Sequence, residues 1–267
     1  LAVRDIFVIF AERGIDRIGV CAFEDVLPLL DVRSAGRLPA SPKSVIVCAL
    51  PCFSGDYPGR NVARYAICDD YHKAGGALLA GICDDLRVLH PKSAFEPFID
   101  VSPIREVEAA RLAGLGAVGR HGLLILSGYG SYTCIGCVVT DLQIPPSTSA
   151  IGGCLDCGEC VKSCPTGALG QKLLRKELCR SYITQKRGRL SAWEENQIRA
   201  GKMAVGCDIC QQACPLNREA TITPLARMRE NPIPNLNKDN LPQALKNKTY
   251  GYLGRKVLER NMTIVDG

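Results

Sequence analysis

Two runs of cysteine constrain this chain more than anything else in it: Cys154-x2-Cys157-x2-Cys160-x3-Cys164-Pro165 and, after a lone Cys179, Cys207-x2-Cys210-x3-Cys214-Pro215. The spacing is that of a double [4Fe–4S] protein, in which three closely spaced thiolates serve one cubane and the cysteine before proline reaches across to the other. That crossing rule assigns Cys154, Cys157, Cys160 and Cys214 to one cluster. Cys164, Cys207 and Cys210 fall to the second, which lacks a thiolate. Cys179 is the nearest unused cysteine upstream and completes it. Tetrahedral all-cysteine zinc is the competing reading, since zinc also takes Cys-x2-Cys pairs. Four cysteines within eleven residues, and a proline after each run, favour the clusters.

The remaining seven cysteines sit mostly in apolar stretches, where a thiol behaves as a small hydrophobe. An odd total of fifteen argues against a disulfide framework, and 267 residues supply a core without staples. No charged, apolar, small-residue leader opens the sequence, and apolar runs such as Val45–Leu50 are far too short to span a bilayer. The expectation is a soluble, cytoplasmic protein with no membrane partner.

Charge divides the chain. Residues 1–161 carry 14 Lys and Arg against 18 Asp and Glu, whereas residues 162–267 carry 19 against 9. A basic second half suits phosphates or an acidic electron donor, and it also suits an ordinary solvated face.

Ahead of the cysteines, helix and strand patterns alternate. Residues 2–13 have helical periodicity, Arg17–Phe23 reads as a strand, and Ser44–Leu50 is a buried strand by its β-branched content. Val62–His90 is long enough for one helix, or two broken at Gly75-Gly76. A strand over Ala94–Asp100, a helix over Ile104–Leu112 and strands over Leu123–Leu126 and Tyr132–Thr140 follow. This order predicts an α/β (α+β) layered domain over residues 1–145, a ferredoxin-like double-cluster module over 146–225, and a C-terminal segment, 226–267, packing back on the core.

Gly114-Leu115-Gly116-Ala117-Val118-Gly119 fits G-x-G-x-x-G, but the dinucleotide fingerprint needs a strand before it and a helix after it. Here the order is reversed, so these glycines are expected to end a helix in left-handed geometry. Asp100 lies at the end of an expected strand, where α/β sheets place ligands, although capping of the next helix would also explain it. Tyr71 and His72 are candidate proton donors or stacking groups, or else the polar face of a helix.

Taken together, Arg64-Tyr65-Ala66 with Asp70-Tyr71-His72, Asp100-x-Ser102-Pro103-x-x-Glu106, the Gly114–Gly119 segment, Cys164-Pro165-Thr166-Gly167, Cys179-x-Ser181-Tyr182 and Leu258-x-Arg260-Asn261 resemble the epoxyqueuosine reductase family. The resemblance implies a nitroreductase-like domain holding base-off cobalamin against the two clusters, and kinship with reductive dehalogenases. It also implies reduction of epoxyqueuosine to queuosine in tRNA, with a flavodoxin or ferredoxin as electron donor. By the same resemblance Asp100 is the proton donor and Tyr71 lines the substrate side, while His121, Leu124, Ile135, Ser181, Gln185 and Asp208 surround the corrin. Arg120 stands where the family commonly has Lys, and His121 beside it is either an axial cobalt ligand or a polar loop residue. Many relatives continue into a helical-repeat domain that grips tRNA, and the sequence is expected to be a short form without it. A small-molecule substrate for the same chemistry and a non-catalytic electron carrier are the competing functions.

Overall fold

The computed structural model describes residues 2–148, 152–170 and 174–267. Strands β1 (Ile18–Ala22), β2 (Ser44–Pro51), β3 (Phe95–Ile99) and, later in the chain, β6 (Thr133–Thr140) form one sheet in the order β1-β2-β6-β3, with every neighbouring pair antiparallel. Between β3 and β6 the chain makes a two-stranded ribbon of β4 (Ala117–Val118) and β5 (Leu124–Ile125). Helices α1 (Ala2–Glu12) and α2 (Tyr71–Leu89) cover one face of the sheet, and α3 (Glu106–Leu112) covers the other.

The alternation of side chains along β2 shows why this strand is central. Ile46, Cys48 and Leu50 point into the core shared with α1 and α2, whereas Val45, Val47 and Ala49 pack with Ala109 and Ala110 of α3. Successive residues of a strand face opposite sides, so a strand covered on both faces is apolar throughout. All eight residues of β2 are buried.

The long helical pattern resolves differently from the expectation. Val62 makes a bridge to Val205, Arg64–Ala66 forms a single 3-10 turn, and α2 begins only at Tyr71, where the Asp70 side chain accepts the His72 backbone N–H. The helix then runs unbroken through Gly75-Gly76. Close packing explains Gly75: a β-carbon there would lie 2.6 Å from Ile99 Cδ1 and 2.8 Å from Leu50 Cδ1.

Helix α3 ends as its glycines require. Gly114 has φ +74°, its N–H donates to the Arg111 carbonyl, and the Leu115 N–H donates to the Ala110 carbonyl, the paired bonds of a left-handed C-terminal cap. The end of α3 presses on β1, where a β-carbon at Gly19 would lie 2.0 Å from the Ala113 carbonyl oxygen. Backbone cannot yield as a side-chain tip does, so Gly19→Ala should destabilise the fold by about 1–3 kcal/mol. A lowered urea midpoint at unchanged slope is the expected reading.

The cysteine-rich part is built from short helices: α4 (Glu159–Lys162), α5 (Arg180–Gln185), α6 (Ala192–Gly201) and α7 (Ile209–Gln212), with α4 packed on α7. Ser191 and Glu194 form a reciprocal capping box that starts α6. Finally, α8 (Leu241–Asn247) and α9 (Arg255–Asp266) join a third core with Val62, Ile67 and Val205. Fully buried Asn261 of α9 donates to the Thr184 and Ala204 carbonyls at 2.7 and 2.8 Å, tying the last helix to the segment between Cys179 and Cys207. Among the described residues, no helix is long and apolar enough to cross a membrane.

Candidate active site

Folding sorts the eight cysteines into two groups. Cys154, Cys157, Cys160 and Cys214 line a recess of about 310 Å³, with Cys160 and Cys214 buried and Cys157 exposed. Cys164, Cys179, Cys207 and Cys210 all line one wall of a second, larger cavity. In each group a cysteine preceding proline stands with cysteines of the other run.

The thiols also act on one another. Burial pushes the Cys210 thiol up to about 12, with further contributions from Cys207, Cys179 and Cys164. Cys160 is raised by burial and then by Cys154 and Cys214. Burial also disfavours the Cys164 thiolate, but backbone N–H groups of Leu169, Thr166 and Ala168 and the Thr166 hydroxyl outweigh it and lower its pKa. Among the described residues no three His, Cys, Asp or Glu side chains converge on the position of a single metal ion. The first cysteine group lines a recess, and the second lines part of the larger cavity.

The larger cavity has about 1400 Å³ of empty space, its open mouth included. The start of β6, Thr133 to Ile135, gives its floor, and apolar side chains such as Leu123, Leu169 and Ile209 line much of the rest. Polar docking fixes the cysteine module over that floor: Gln211 Nε2 donates to the Ser131 carbonyl and hydroxyl at 2.9 and 3.1 Å, and Asn217 Oδ1 accepts the Ser131 N–H at 2.6 Å. Gly130 permits this approach, because a β-carbon there would lie 2.0 Å from Asn217 Oδ1.

Acids and aromatic rings occupy another part of the same cavity. Asp100 follows β3 in left-handed backbone geometry, φ +61°, a conformation uncommon for residues other than glycine. Its Oδ2 lies 2.9 Å from His72 Nε2, and His72 Nδ1 lies 2.7 Å from Asp70 Oδ1. Held between two carboxylates, first Asp100 and then Asp70, His72 is raised to about 9 despite partial burial. The Tyr71 ring stacks on His72 with centroids 4.0 Å apart, and burial raises the phenol so that it stays protonated. Glu106, in the first turn of α3, is pushed up to about 8 by burial and by the Asp100 charge.

Of the residues singled out from the sequence, Asp100, Tyr71, His121, Ile135 and Ser181 line this cavity together with the second cysteine group. Leu124, Gln185 and Asp208 are not part of the wall. Leu124 packs into the core beneath α3 while Leu123 faces the cavity, since neighbours in an extended segment point opposite ways. Gln185 donates to the Ser181 carbonyl and accepts from the Tyr252 hydroxyl. Asp208 is buried in an ion pair with Arg60 at 2.8 Å and accepts the Arg64 backbone N–H at 3.0 Å, which fastens the second cysteine run to the α/β layer. Nor does Asp100 cap the next helix; the Ser102 hydroxyl, accepting the Ile104 N–H, shapes that turn.

His121 Nδ1 accepts the Leu123 N–H at 3.2 Å, and burial lowers its pKa. In the neutral ring the proton therefore sits on Nε2, which is buried without a partner. That atom is a donor in search of an acceptor, which argues against an axial metal ligand. Tyr65, Tyr132, Gln211 and Glu106 also line the site without having been given a role from sequence. Two of them stood in motifs quoted from the sequence, Glu106 six residues after Asp100 and Tyr65 between Arg64 and Ala66.

The family described as a 4Fe-4S double cluster binding domain matches residues 153–217. An epoxyqueuosine reductase of Aliivibrio fischeri is 35% identical over 163 residues, covering 61% of this chain and 44% of the relative. One from Staphylococcus aureus is 30% identical over 237 residues, covering 84% and 59%. The chain thus spans about half the length of the curated relatives it matches. In structure it superposes on epoxyqueuosine reductase from Streptococcus thermophilus with a TM-score of 0.82 at 23% identity, covering 99% of this chain and 81% of that one. A likeness with a TM-score of 0.81 at 21% identity, covering 98% and 80%, extends to an epoxyqueuosine reductase crystallised with an epoxyqueuosine-modified tRNA stem loop. A reductive dehalogenase described by B12-dependent dehalogenation shares the fold at a TM-score of 0.53 and 18% identity, covering 98% and 35%. With its ordered motifs, its double-cluster match and curated relatives at 35% and 30% identity, this chain belongs to the epoxyqueuosine reductase family.

Proposed function

We propose that this chain is an oxidoreductase that uses two [4Fe–4S] clusters and cobalamin to reduce epoxyqueuosine in tRNA to queuosine, in the cytoplasm. The observation that carries the reading is a single cavity walled by four cysteines in one part and by Asp100, Tyr71 and Glu106 in another. Electrons and protons can thus be delivered to the same space. The two cysteine groups are the proposed ligand sets, and the hydrogen bonds on Cys164 are of the kind that tune cluster potential.

The cavity fits a tetrapyrrole. It is large and mostly apolar, it lies between two structural layers, and the unpartnered His121 Nε2 offers a hydrogen bond to an acceptor on a bound molecule. His121, Ile135 and Ser181 would hold the corrin. When bound, cobalamin would supply a metal centre that accepts electrons from the clusters and delivers them to the substrate.

The chain's own residues supply the rest. Cys164, Cys179, Cys207 and Cys210 place an electron source at the cavity wall, the Tyr71 ring fixes the plane of His72, and the Asp100–His72 pair holds a proton for the departing epoxide oxygen. The basic second half suits both tRNA phosphates and an acidic flavodoxin or ferredoxin as donor.

The test is direct. Protein purified without oxygen should bind cobalamin with a base-off spectrum and, given a strong reductant and epoxyqueuosine-containing tRNA, remove one oxygen from the modified nucleoside by mass spectrometry. Cobalamin binding with unchanged tRNA would redirect the reading to a small-molecule substrate. Failure to bind cobalamin would leave an electron carrier.

A further inference from the structure

Conversion of an epoxide to an alkene breaks two C–O bonds, forms one carbon–carbon π bond and releases the oxygen as water. It consumes two electrons, from a reduced low-potential iron–sulfur or flavin donor through the clusters, and two protons. The first proton has a store in the Asp100–His72 pair, joined at 2.9 Å. His72 is raised to about 9, so at neutral pH its imidazolium, paired with Asp100, holds one proton. A second must come from elsewhere.

We propose that Glu106 stores the second proton and passes it to Asp100 once the first has been spent. The inference rests on the reading of the reaction given above. Glu106 lines the cavity beside Asp100, its Oε1 is shielded from solvent with no hydrogen-bond partner, and the Asp100 backbone N–H reaches its carboxyl group. An ionised carboxylate with a bare, shielded oxygen is costly, whereas a neutral carboxyl tolerates that environment.

The surroundings are consistent with a neutral group. Facing Glu106 electrostatically are Asp100, His72 and Tyr71 together with the Cys48, Cys134 and Cys137 thiols of the sheet. His72 is the one cation in that set, and its pull and the Asp100 N–H are outweighed by burial and by the Asp100 charge, leaving Glu106 near 8. A purely structural role in the first turn of α3 would favour the ionised form at the helix N-terminus. At pH 7 the site therefore contains two transferable protons, one on the His72–Asp100 pair and one on Glu106, which is the number the reaction consumes. Because Glu106 acts through Asp100, it is a positioning and relay residue.

Infrared titration of the full-length, cluster- and cobalamin-loaded protein, with carbon-13 in the glutamate side chains, tests the assignment without substrate. A protonated carboxyl band should disappear with a midpoint near pH 8, be absent in Glu106→Gln, and persist in Asp100→Asn with a lower midpoint. Turnover of Glu106→Gln should fall about 100-fold at full cofactor content, and Glu106→Asp should recover part of it. The absence of any glutamate band titrating above pH 7 in the wild-type protein would overturn the proposal, and this reading survives even if Glu106→Gln fails to fold. So would a Glu106→Gln variant with wild-type turnover. If the titration succeeds but tRNA is unchanged, the store stands and the substrate assignment fails.

Discussion

Asp100→Asn should lower turnover by about 100- to 10,000-fold, the usual contribution of a positioned general acid, while iron and cobalamin contents stay at wild-type levels. Asn keeps the shape of the side chain and, like Asp, tolerates left-handed backbone, so the φ of +61° is not a reason for the variant to misfold. What it removes is the carboxyl group that pairs with His72 and the largest of the influences raising His72. The His72 titration, followed by nitrogen-15 NMR, should accordingly move down from about 9 toward the ordinary histidine range while retaining the contribution of Asp70.

The sign of the wild-type pH dependence follows. A histidine raised by its partners contributes stability that is fully present below its unfolded pKa and is lost as pH rises through about 9. A turnover rate that draws protons from the site should fall over the same alkaline range, from about 8, where Glu106 ionises, to about 9. An activity profile flat from pH 7 to 10, or full turnover by Asp100→Asn, would remove this cluster of acids from the reaction.

Single-cysteine variants carry the second large effect. Two cubanes imply about eight irons per chain, and loss of one cluster should leave about four. Cys214→Ala and Cys154→Ala should abolish the same cluster although these residues are sixty positions apart, because both line the small recess. Cys164→Ala and Cys210→Ala should abolish the other, next to the large cavity. Electron paramagnetic resonance of the reduced proteins should show one signal surviving in the first pair of variants and the other in the second. Reduction of the substrate should cease in both pairs, since a missing cluster breaks the route to the cavity. If Cys164→Ala removed the same signal as Cys154→Ala, each run would be serving its own cluster and the crossed arrangement would be wrong.

Much of the fold was legible because its signals are local. The β-branched run of β2, the glycine-terminated α3 and the sheet strands all follow from periodicity and turn chemistry within a few residues. The stretch from Val62 to Tyr71 was not legible in this way. Its residues read as helix, yet Val62 bridges Val205 and Ile67 packs with Tyr250 and Leu258, so contacts more than a hundred residues away override the local preference. The choice left open at Gly75-Gly76, one helix or two, was decided in the same way, since the missing side chain of Gly75 serves packing against Ile99 and Leu50 and the helix runs on.

The site divides along the same line. Spacing grouped seven of the eight cysteines, because the run of three and the cysteine before proline follow the crossing pattern of double-cluster proteins, Cys179 followed as the nearest unused cysteine, and the motif around Asp100 marked the carboxylate. Only the folded chain decided which side chains enter the cavity: Leu123 in place of Leu124, Asp208 bound to Arg60 and outside the wall, and His72 between two carboxylates that lie two and twenty-eight residues from it. The fate of Glu106 was settled there as well, because a carboxyl group takes its proton affinity from the water it loses and the charges it meets, and neither is written in the residues beside it.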